Sequence, residues 1–397
     1  MQELARINLV RIRELLHAQQ VRDKQLALLW SEASAKPVIL RHSPARTVLR
    51  VAAEDSSALS QDWVLKLYHP HRSYEILRRL ISKAPALREL EAALRCGYED
   101  SIAEQAHQQL GLFARPWIED EGFEPDARSW GSEIAALHLR GWSDKDVSPD
   151  DFVWTKDGKA LPLDFGSARF RLNQASPRII QWRDLVRLLA AFPPSRRGQW
   201  LEDFVDSHEQ IIQSEAPPIP WQRFWAAWPA RFSHQKLDAA AARHRCRRMW
   251  RRSSRALREC SDFRVLEDGI LRRGFEPPHG KLTILAKSTV AISVECGGIW
   301  QIQMHSMRDA SCAHRHLHLL ELFGLPAVKS LGYRGDVLWL DGSPLSLANH
   351  EQQAAIDKTI GLVNSEGYYL PDTTGFAIDA DGQAIVAIPP EMEMYSA

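Results

Sequence analysis

Apolar residues near the start of the chain recur at a helical period. In MQELARINLVRIRELL, Leu4, Ile7, Ile12 and Leu15 fall near one side of an amphipathic helix. The Glu and Arg residues inside that pattern argue against a signal peptide. Packing on the protein's own core is the expected fate of this helix, and lying on a membrane surface is the alternative. The period then changes to two. KPVIL, RTVLRVAA and DWVLKLYH are short runs rich in β-branched and aromatic residues, and they predict three strands. SYEILRRLISKAPALRELEAALRCG returns to a helical pattern, with a proline interruption and a glycine near its stop. A further apolar run, LGLFARPWIE, leads into ARSWGSEIAALHLRGW, a helix expected to end at Gly141. From Trp182 to about Arg258 the pattern is helical, broken at FPPS and EAPPIP.

Strand character resumes in KLTILAKSTVAISVECGGIWQIQMHS. It is followed by a helix, SCAHRHLHLLELFG, and a strand pair around VKSLGYRGDVLWLDG. The order of the first half thus recurs in shortened form: strands, helix, strands, helix, hairpin. The expected class is α+β, with a boundary near Cys260.

The densest chemistry lies in SDKDVSPDDFVWTKDGKALPLDFGSARF, which holds six aspartates from Asp144 to Asp164. FVW and ALPL read as two short strands joined through Asp157-Gly158, a strong hairpin signal. The hairpin folds the chain back, so the loop before it (residues 144–151) lies near Asp164-Phe165-Gly166 after it. Asp146 and Asp164 then face one cleft. A cluster of carboxylates repels itself unless a cation sits among them, and Mg²⁺ takes a few carboxylate oxygens with water and phosphate oxygens. For Asp150, Asp151 and Asp157 taken singly, the ordinary use of Asp in loops and caps is the plainer reading.

Composition narrows this less than pattern does. The 397 residues suit two domains, and Lys+Arg and Asp+Glu both number 50, so net charge identifies no partner. The distribution of charge is more informative. Residues 243–258, RHRCRRMWRRSSRALR, form a basic run from Arg243 to Arg258, read either as a solvated helix face or as an anion or membrane-surface contact. The five cysteines, Cys96, Cys246, Cys260, Cys296 and Cys312, never form a C-x-x-C pair. That pattern speaks against a disulfide framework or zinc site and fits a reducing cytoplasm. No apolar run reaches the length of a transmembrane helix, roughly 18 residues.

Base loop, hairpin and D-F-G together resemble the catalytic core of the protein-kinase-like fold. LHLRGWSDKD is similar to the LH-x-x-G-x-x-H-x-D run of bacterial lipopolysaccharide kinases, with Asp144 in place of the His. The resemblance implies Asp146 as catalytic base, Asp151 at the metal-binding Asn position, and Asp164 as the Mg²⁺ ligand. It implies Lys66 of WVLKLY as the strand lysine that contacts ATP phosphates. ALRELEAALRCG resembles the REF-x-x-L-x-x-L-x-x-G helix and points to Glu89 as its partner, with Glu91 and Glu75 as rivals. Arg183-Asp184 in QWRDLVRLLA resembles the helix whose aspartate braces the catalytic loop.

The implied organisation is an N-terminal helix at residues 1–34, an N-lobe at 35–116, a C-lobe at 117–260 and a degenerate kinase-like domain at 261–397. Two departures accompany the resemblance. Gly97 is the first glycine in the chain, so no glycine-rich loop covers the phosphates, and that contact falls to groups around RHSPARTV. Asp151 also adds a charge where the family has Asn. In the second half, Gly367 to Asp372 repeats the spacing from Gly141 to Asp146, and Asp381-Gly382 supplies a second turn. The D-F-G position has become Ile388-Pro389-Pro390, and the lysine position reads as Gln303.

Two functions follow from the resemblance. One is an ATP- and Mg²⁺-dependent phosphotransferase acting on a sugar hydroxyl, by implication of lipopolysaccharide core. The other is a non-catalytic pseudokinase scaffold or regulator in cell-envelope biogenesis. Expected partners are ATP and a glycolipid or sugar acceptor, with peripheral inner-membrane contact through residues 243–258 and no nucleic acid. The expected location is cytoplasmic, peripheral at the inner membrane.

Overall fold

In the computed structural model, the residues described are 23–35, 38–43, 46–55, 59–68, 84–106, 110–119, 122–170, 175–215, 233–260, 262–278, 283–287, 292–296, 298–342, 346–370, 375–388 and 393–394. The expected amphipathic helix with Leu4, Ile7, Ile12 and Leu15, the rival Glu75, Asp372 and Pro389-Pro390 lie outside them. The chain is α+β. It divides into two compact units: residues 1–188 with 200–234, and residues 189–199 with 235–397.

The three early strand-like runs become β1 (Val38–Ser43), β2 (Arg46–Val51) and β3 (Trp63–Tyr68). Helix α1 (Lys24–Ala35) precedes them, and α2 (Pro85–Arg95) follows. Strands β4 (Ile102–Ala106) and β5 (Leu110–Pro116) complete an antiparallel sheet in the order β1-β2-β3-β5-β4. Strand β4 is absent from the sequence expectations, because IAEQA carries too little β-branched or aromatic character to signal itself. Alternation along β3 sends Trp63, Leu65 and Leu67 into a core shared with Leu26 and Leu29 of α1. Lys66 therefore points to the opposite face, where α2 lies. That single period-two relationship places the lysine.

The helical part of this unit starts with α3 (Ala127–Leu139), capped by the Asp126 side chain accepting from Ser129 N. It ends at Gly141, which takes φ 85°. Short strands β6 (Trp142–Asp144), β7 (Phe152–Trp154), β8 (Ala160–Pro162) and β9 (Ala168–Phe170) follow, then α4 (Arg178–Leu189) and α5 (Pro194–Glu215). Strands β7 and β8 form the expected hairpin, with Gly158 at φ 75°. Helices α3 and α5 approach so closely that a Cβ at Gly131 would stand 2.2 Å from Phe204 O.

The second unit contains α6 (His234–Ser253) from Gln235 onward, then β10 (Phe263–Val265), β11 (Gly269–Arg272), β12 (Thr283–Lys287), β13 (Ile292–Cys296) and β14 (Ile299–Gln303). Helix α7 (Met307–Phe323), β15 (Ser330–Arg334), β16 (Val337–Asp341), β17 (Ser346–Leu347), α8 (Gln353–Ser365), β18 (Tyr368–Tyr369), β19 (Gly375–Ile378), β20 (Ala384–Ile388) and β21 (Glu393–Met394) complete it. Its main sheet runs β10-β11-β15-β16-β14-β13-β12. Read from the far end, β12-β13-β14-β16-β15 repeats the order β1-β2-β3-β5-β4.

The repetition reaches individual residues. A bulge between Ile39 and Arg41 in β1 recurs between Ile284 and Ala286 in β12. Counting across both ladders from that bulge, Lys66 pairs with Val48 as Ile302 pairs with Ser293. The lysine position is therefore Ile302, not Gln303. Gln303 is exposed at the strand end, and Ile302 is fully buried. Helix ends agree as well. Tyr98 N bonds Ala93 O as Leu325 N bonds Leu320 O, which gives His316 the register position that Glu89 has in the first unit. The turn at Thr155–Gly158 is matched by Asp379–Gly382, with Gly158 N to Thr155 O at 2.9 Å and Gly382 N to Asp379 O at 3.1 Å. That register carries Asp164 onto Ile388. The second unit keeps the scaffold and replaces each of these three ionisable residues.

Within the basic run, Arg245 does not face water. Its Nε and Nη2 donate to Glu366 at 2.7 and 3.0 Å, and its Nη1 donates to Ala191 O. Both side chains are buried. Removing one member of a buried pair strands the other charge, at a cost of about 3–5 kcal/mol. Glu366→Ala is accordingly expected to lower the urea midpoint strongly, whereas Arg247→Ala on the exposed side should leave it within error. Equal, small effects for both would show that this pair is not a structural anchor.

Candidate functional site

Lys66 and Glu89 meet as the sequence predicts. Their ion pair is buried, with Glu89 wholly inaccessible and Lys66 4% exposed. Glu91, the rival, points outward and pairs with Arg95 on its own helix at 3.0 Å. Burial pushes the Glu89 carboxyl upward against the pull of Lys66. Its second oxygen has no hydrogen-bond partner. Lys66 Nζ also donates to Leu163 O at 3.3 Å and stands 3.6 Å from Asp164 Oδ1. The strand lysine, the helix glutamate and the aspartate after the hairpin thus form one constellation.

Asp164 holds a second cation. Arg46, the first residue of β2, donates Nη1 to Oδ1 at 3.0 Å and Nη2 to Oδ2 at 3.1 Å. Gly166 N adds a third donor at 3.1 Å. Burial alone would raise the Asp164 pKa, but Lys66 and Arg46 hold it well below the usual carboxylate range. Phe165 between them is buried edge-on against Tyr98, with ring centroids 5.4 Å apart. Tyr98 OH donates to Pro162 O at 2.8 Å, which fixes the returning strand beside α2.

The loop before the hairpin is braced from below. Asp184 on α4 accepts from Asp144 N at 3.2 Å, and Arg187 Nη1 donates to Asp144 O at 3.1 Å. The expected bracing aspartate is in place. Asp144 accepts from Asp146 N at 2.8 Å and from the Ser167 hydroxyl. It thereby ties the loop to the segment after D-F-G. Burial raises the Asp144 pKa to about 6, although both of those bonds pull it down. Asp146 itself is exposed, with no side-chain hydrogen bond or ion pair among the described residues. Its backbone is fixed while its carboxylate faces solvent.

Asp151 differs again. Its Oδ2 accepts from Ser148 N at 2.9 Å, and its backbone O accepts from Leu163 N at 2.6 Å. Burial raises its pKa to about 7, reinforced by Asp164, Asp144 and Asp146. Four aspartates therefore sense one another here, while Asp150 is exposed and Asp157 pairs with Lys159 on the hairpin tip. Asp164 and Asp151 offer the hard oxygen donors that Mg²⁺ takes, with water and phosphate oxygens filling the remaining positions. Asp151, which Asp164, Asp144 and Asp146 push upward together, is the carboxylate that such an ion would relieve. Among the described residues no group of three or more His, Cys, Asp or Glu forms a metal-holding cluster.

Sequence reasoning did not single out Arg46, Tyr98, Ser167 or Arg187. Arg46 alone carried a signal, lying in the stretch RHSPARTV marked as a substitute for phosphate-binding glycines. No family model matches the chain. No curated protein matches it in sequence. Among solved structures it is similar to WbdD: a 2.2 Å crystal structure shares 19% identity over 51% of this chain and 44% of that one, at a TM-score of 0.24. A structure described as the bifunctional kinase-methyltransferase WbdD shares 18% identity over 50% of this chain and 42% of that one, and monomeric WbdD shares 18% over 50% and 44%, both at 0.24. The chain spans less than half the length of these structures. At these values the similarity is remote and decides neither activity nor substrate. No helix among the described residues is long and apolar enough to cross a membrane.

The Asp151 shift sets a pH dependence. Between about pH 4 and pH 7 the folded protein keeps a proton there that the unfolded chain has released, so this contribution to stability falls as pH rises through the window. Asp151→Asn cannot ionise, and its amide oxygen still accepts from Ser148 N. In metal-free buffer its melting temperature is expected to exceed the wild-type value at pH 8 and to approach it at pH 5. A difference independent of pH would contradict the assignment.

Proposed function

We propose that the first unit is a phosphotransferase of the protein-kinase-like type, using ATP and Mg²⁺ to phosphorylate a sugar hydroxyl. The observation that carries this reading is the Lys66–Glu89 ion pair beside Asp164, together with an exposed Asp146 on a braced loop. Phosphoryl transfer needs positioning and charge neutralisation more than covalent participation by the protein. Lys66, oriented by Glu89, holds phosphate oxygens. Asp146 orients the acceptor hydroxyl and accepts its proton. Asp164 and Asp151 hold the divalent ion, which, when bound, neutralises the charge that develops on the phosphates. Asp144, Asp184 and Arg187 keep the loop in register and touch no reactant. The lipopolysaccharide-core acceptor rests on the resemblance of LHLRGWSDKD to the lipopolysaccharide kinases.

A second reading, a pseudokinase scaffold or regulator in envelope biogenesis, is favoured by one observation: Arg46 already occupies both oxygens of Asp164. Nucleotide binding and turnover separate the two. ATP with Mg²⁺ is expected to raise the melting temperature, since a ligand at a hundredfold excess over its dissociation constant stabilises by about 2.7 kcal/mol. Asp146→Asn should keep that shift and lose phosphotransfer to a lipopolysaccharide-core acceptor by at least about a hundredfold. A shift in the wild type without turnover favours the scaffold, and no shift at millimolar nucleotide removes the phosphotransferase reading.

The peripheral contact has its own residues. Arg243, Arg247 and Arg251 recur at every fourth position of α6 and are exposed, as are Arg255 and Arg258 beyond it. We propose that this stripe meets an anionic bilayer surface, where each such residue contributes on the order of 1 kcal/mol. Sedimentation with phosphatidylglycerol vesicles, but not phosphatidylcholine vesicles, is expected. It should be lost at high salt and in the triple Arg243→Gln, Arg247→Gln, Arg251→Gln variant. Salt-independent binding would contradict it.

A further inference from the structure

The chain has no glycine before Gly97, yet the hairpin formed by β1 and β2 still ends directly above the aspartate of the D-F-G segment. The residue that makes this contact is Arg46, paired across the hairpin with Ser43 and seated next to Tyr68 of β3. Its guanidinium grips both oxygens of Asp164 in a fork, at 3.0 and 3.1 Å. The Arg46 side chain is 19% exposed and that of Asp164 is 32% exposed, so the pair lies at the mouth of the site and not in its core. The surroundings are fitted to it: a Cβ at Gly166 would stand 3.4 Å from Arg46 Nη1 and 3.2 Å from Asp164 Oδ1.

Two physical facts bear on this fork. An arginine fork binds phosphate with the same geometry as carboxylate, in both cases through paired charged donors. Arg46 and Gly166 N already take both lone pairs of Asp164 Oδ1, and the guanidinium charge beside Oδ2 opposes a divalent cation there by repulsion. With no glycine-rich loop to present backbone N–H groups, the phosphates would need another donor from this hairpin. Arg46 is the charged side chain that the described hairpin places there.

We propose that Arg46 is the nucleotide-phosphate ligand of this site and also its latch. Without nucleotide it caps Asp164 and competes with the divalent ion. When phosphate enters, the guanidinium transfers its N–H donors from the carboxylate to phosphate oxygens and frees Asp164 for the cation. Nucleotide and metal binding are thereby coupled through one side chain. This rests on the phosphotransferase reading above and assigns a residue role that the resemblance does not supply.

The test measures binding, not turnover, on the full chain. ATP affinity in EDTA and Mn²⁺ affinity without nucleotide are determined for the wild type, Arg46→Met and Arg46→Lys. Losing a charge-assisted fork should weaken ATP binding by about tenfold or more in Arg46→Met. The same variant should bind Mn²⁺ at least about threefold more tightly, because its competitor is gone. Arg46→Lys keeps the charge without the fork and should lie between the two, which excludes misfolding as the cause. Unchanged ATP affinity, or unchanged or weaker Mn²⁺ binding, in folded Arg46→Met overturns the proposal. Failure of the phosphotransferase reading has a different signature, since the wild type itself would then bind no nucleotide, or would bind it and turn nothing over while the Arg46 variants still showed the opposed changes in affinity.

Discussion

A lysine and a glutamate buried together set the terms for the rest of the first unit. Taking two charges out of water costs several kcal/mol for each ion, and only good mutual geometry and further hydrogen bonds recover it. Lys66 recovers part of that cost through Leu163 O and Asp164, which lie at the end of the hairpin. The pair therefore ties three separate segments together: the central strand, the helix after it, and the return strand of the hairpin. Tyr98 reinforces the join from the helix side through Pro162 O. A buried pair of this kind is weak evidence for stability, since an apolar substitute of similar volume often does as well. Its place beside Asp164, at the end of the hairpin, is the more telling point.

The second unit is a natural comparison. There the register that holds Lys66 carries Ile302, the helix register of Glu89 carries His316, and the register of Asp164 carries Ile388. Bulge, helix end and turn all persist. Backbone geometry in such elements depends on local features: an extra residue in one strand, a glycine at positive φ, a two-bond turn. None of these needs the ionisable side chains, so the scaffold forms without them. Ile302 fills the core directly, without a charge to compensate.

Much of this was legible in the sequence because it depends on short-range pattern. Strands β1, β2, β3 and β5, the hairpin at Gly158 and the helix ending at Gly141 all follow from period and punctuation. Lys66, Glu89, Asp164 and the brace at Asp184 came from the resemblance of short motifs to the lipopolysaccharide kinases. Strand β4 was missed because its sequence is nearly neutral between states. The pairing of β6 with β9 was missed because each strand is only three residues long. Arg46 on Asp164 spans 118 positions, and no spacing rule reaches that far. Arg245 shows the opposite difficulty. A run of arginines looks uniform in one dimension, and only the helix rotation that turns one of them onto Glu366 distinguishes it. The lysine position slipped by one residue in the second unit, because the polar residues of IWQIQ are Gln301 and Gln303 while the register falls on the apolar Ile302 between them.

The glycine-free character of the first 96 residues has a consequence for discrimination. A hairpin in which every residue bears a Cβ samples fewer backbone conformations than a glycine-rich one, in the folded and the unfolded chain alike. Such an arch loses less freedom when it orders around a guest. It also adapts less to the outline of that guest, since adaptation is what the lost conformations would have provided. Under the proposed role of Arg46, recognition would rest on one long side chain on a firm support and not on a pliable mesh of backbone amides. A site built this way would read the position of a charge strictly and tolerate little variation in where that charge is presented.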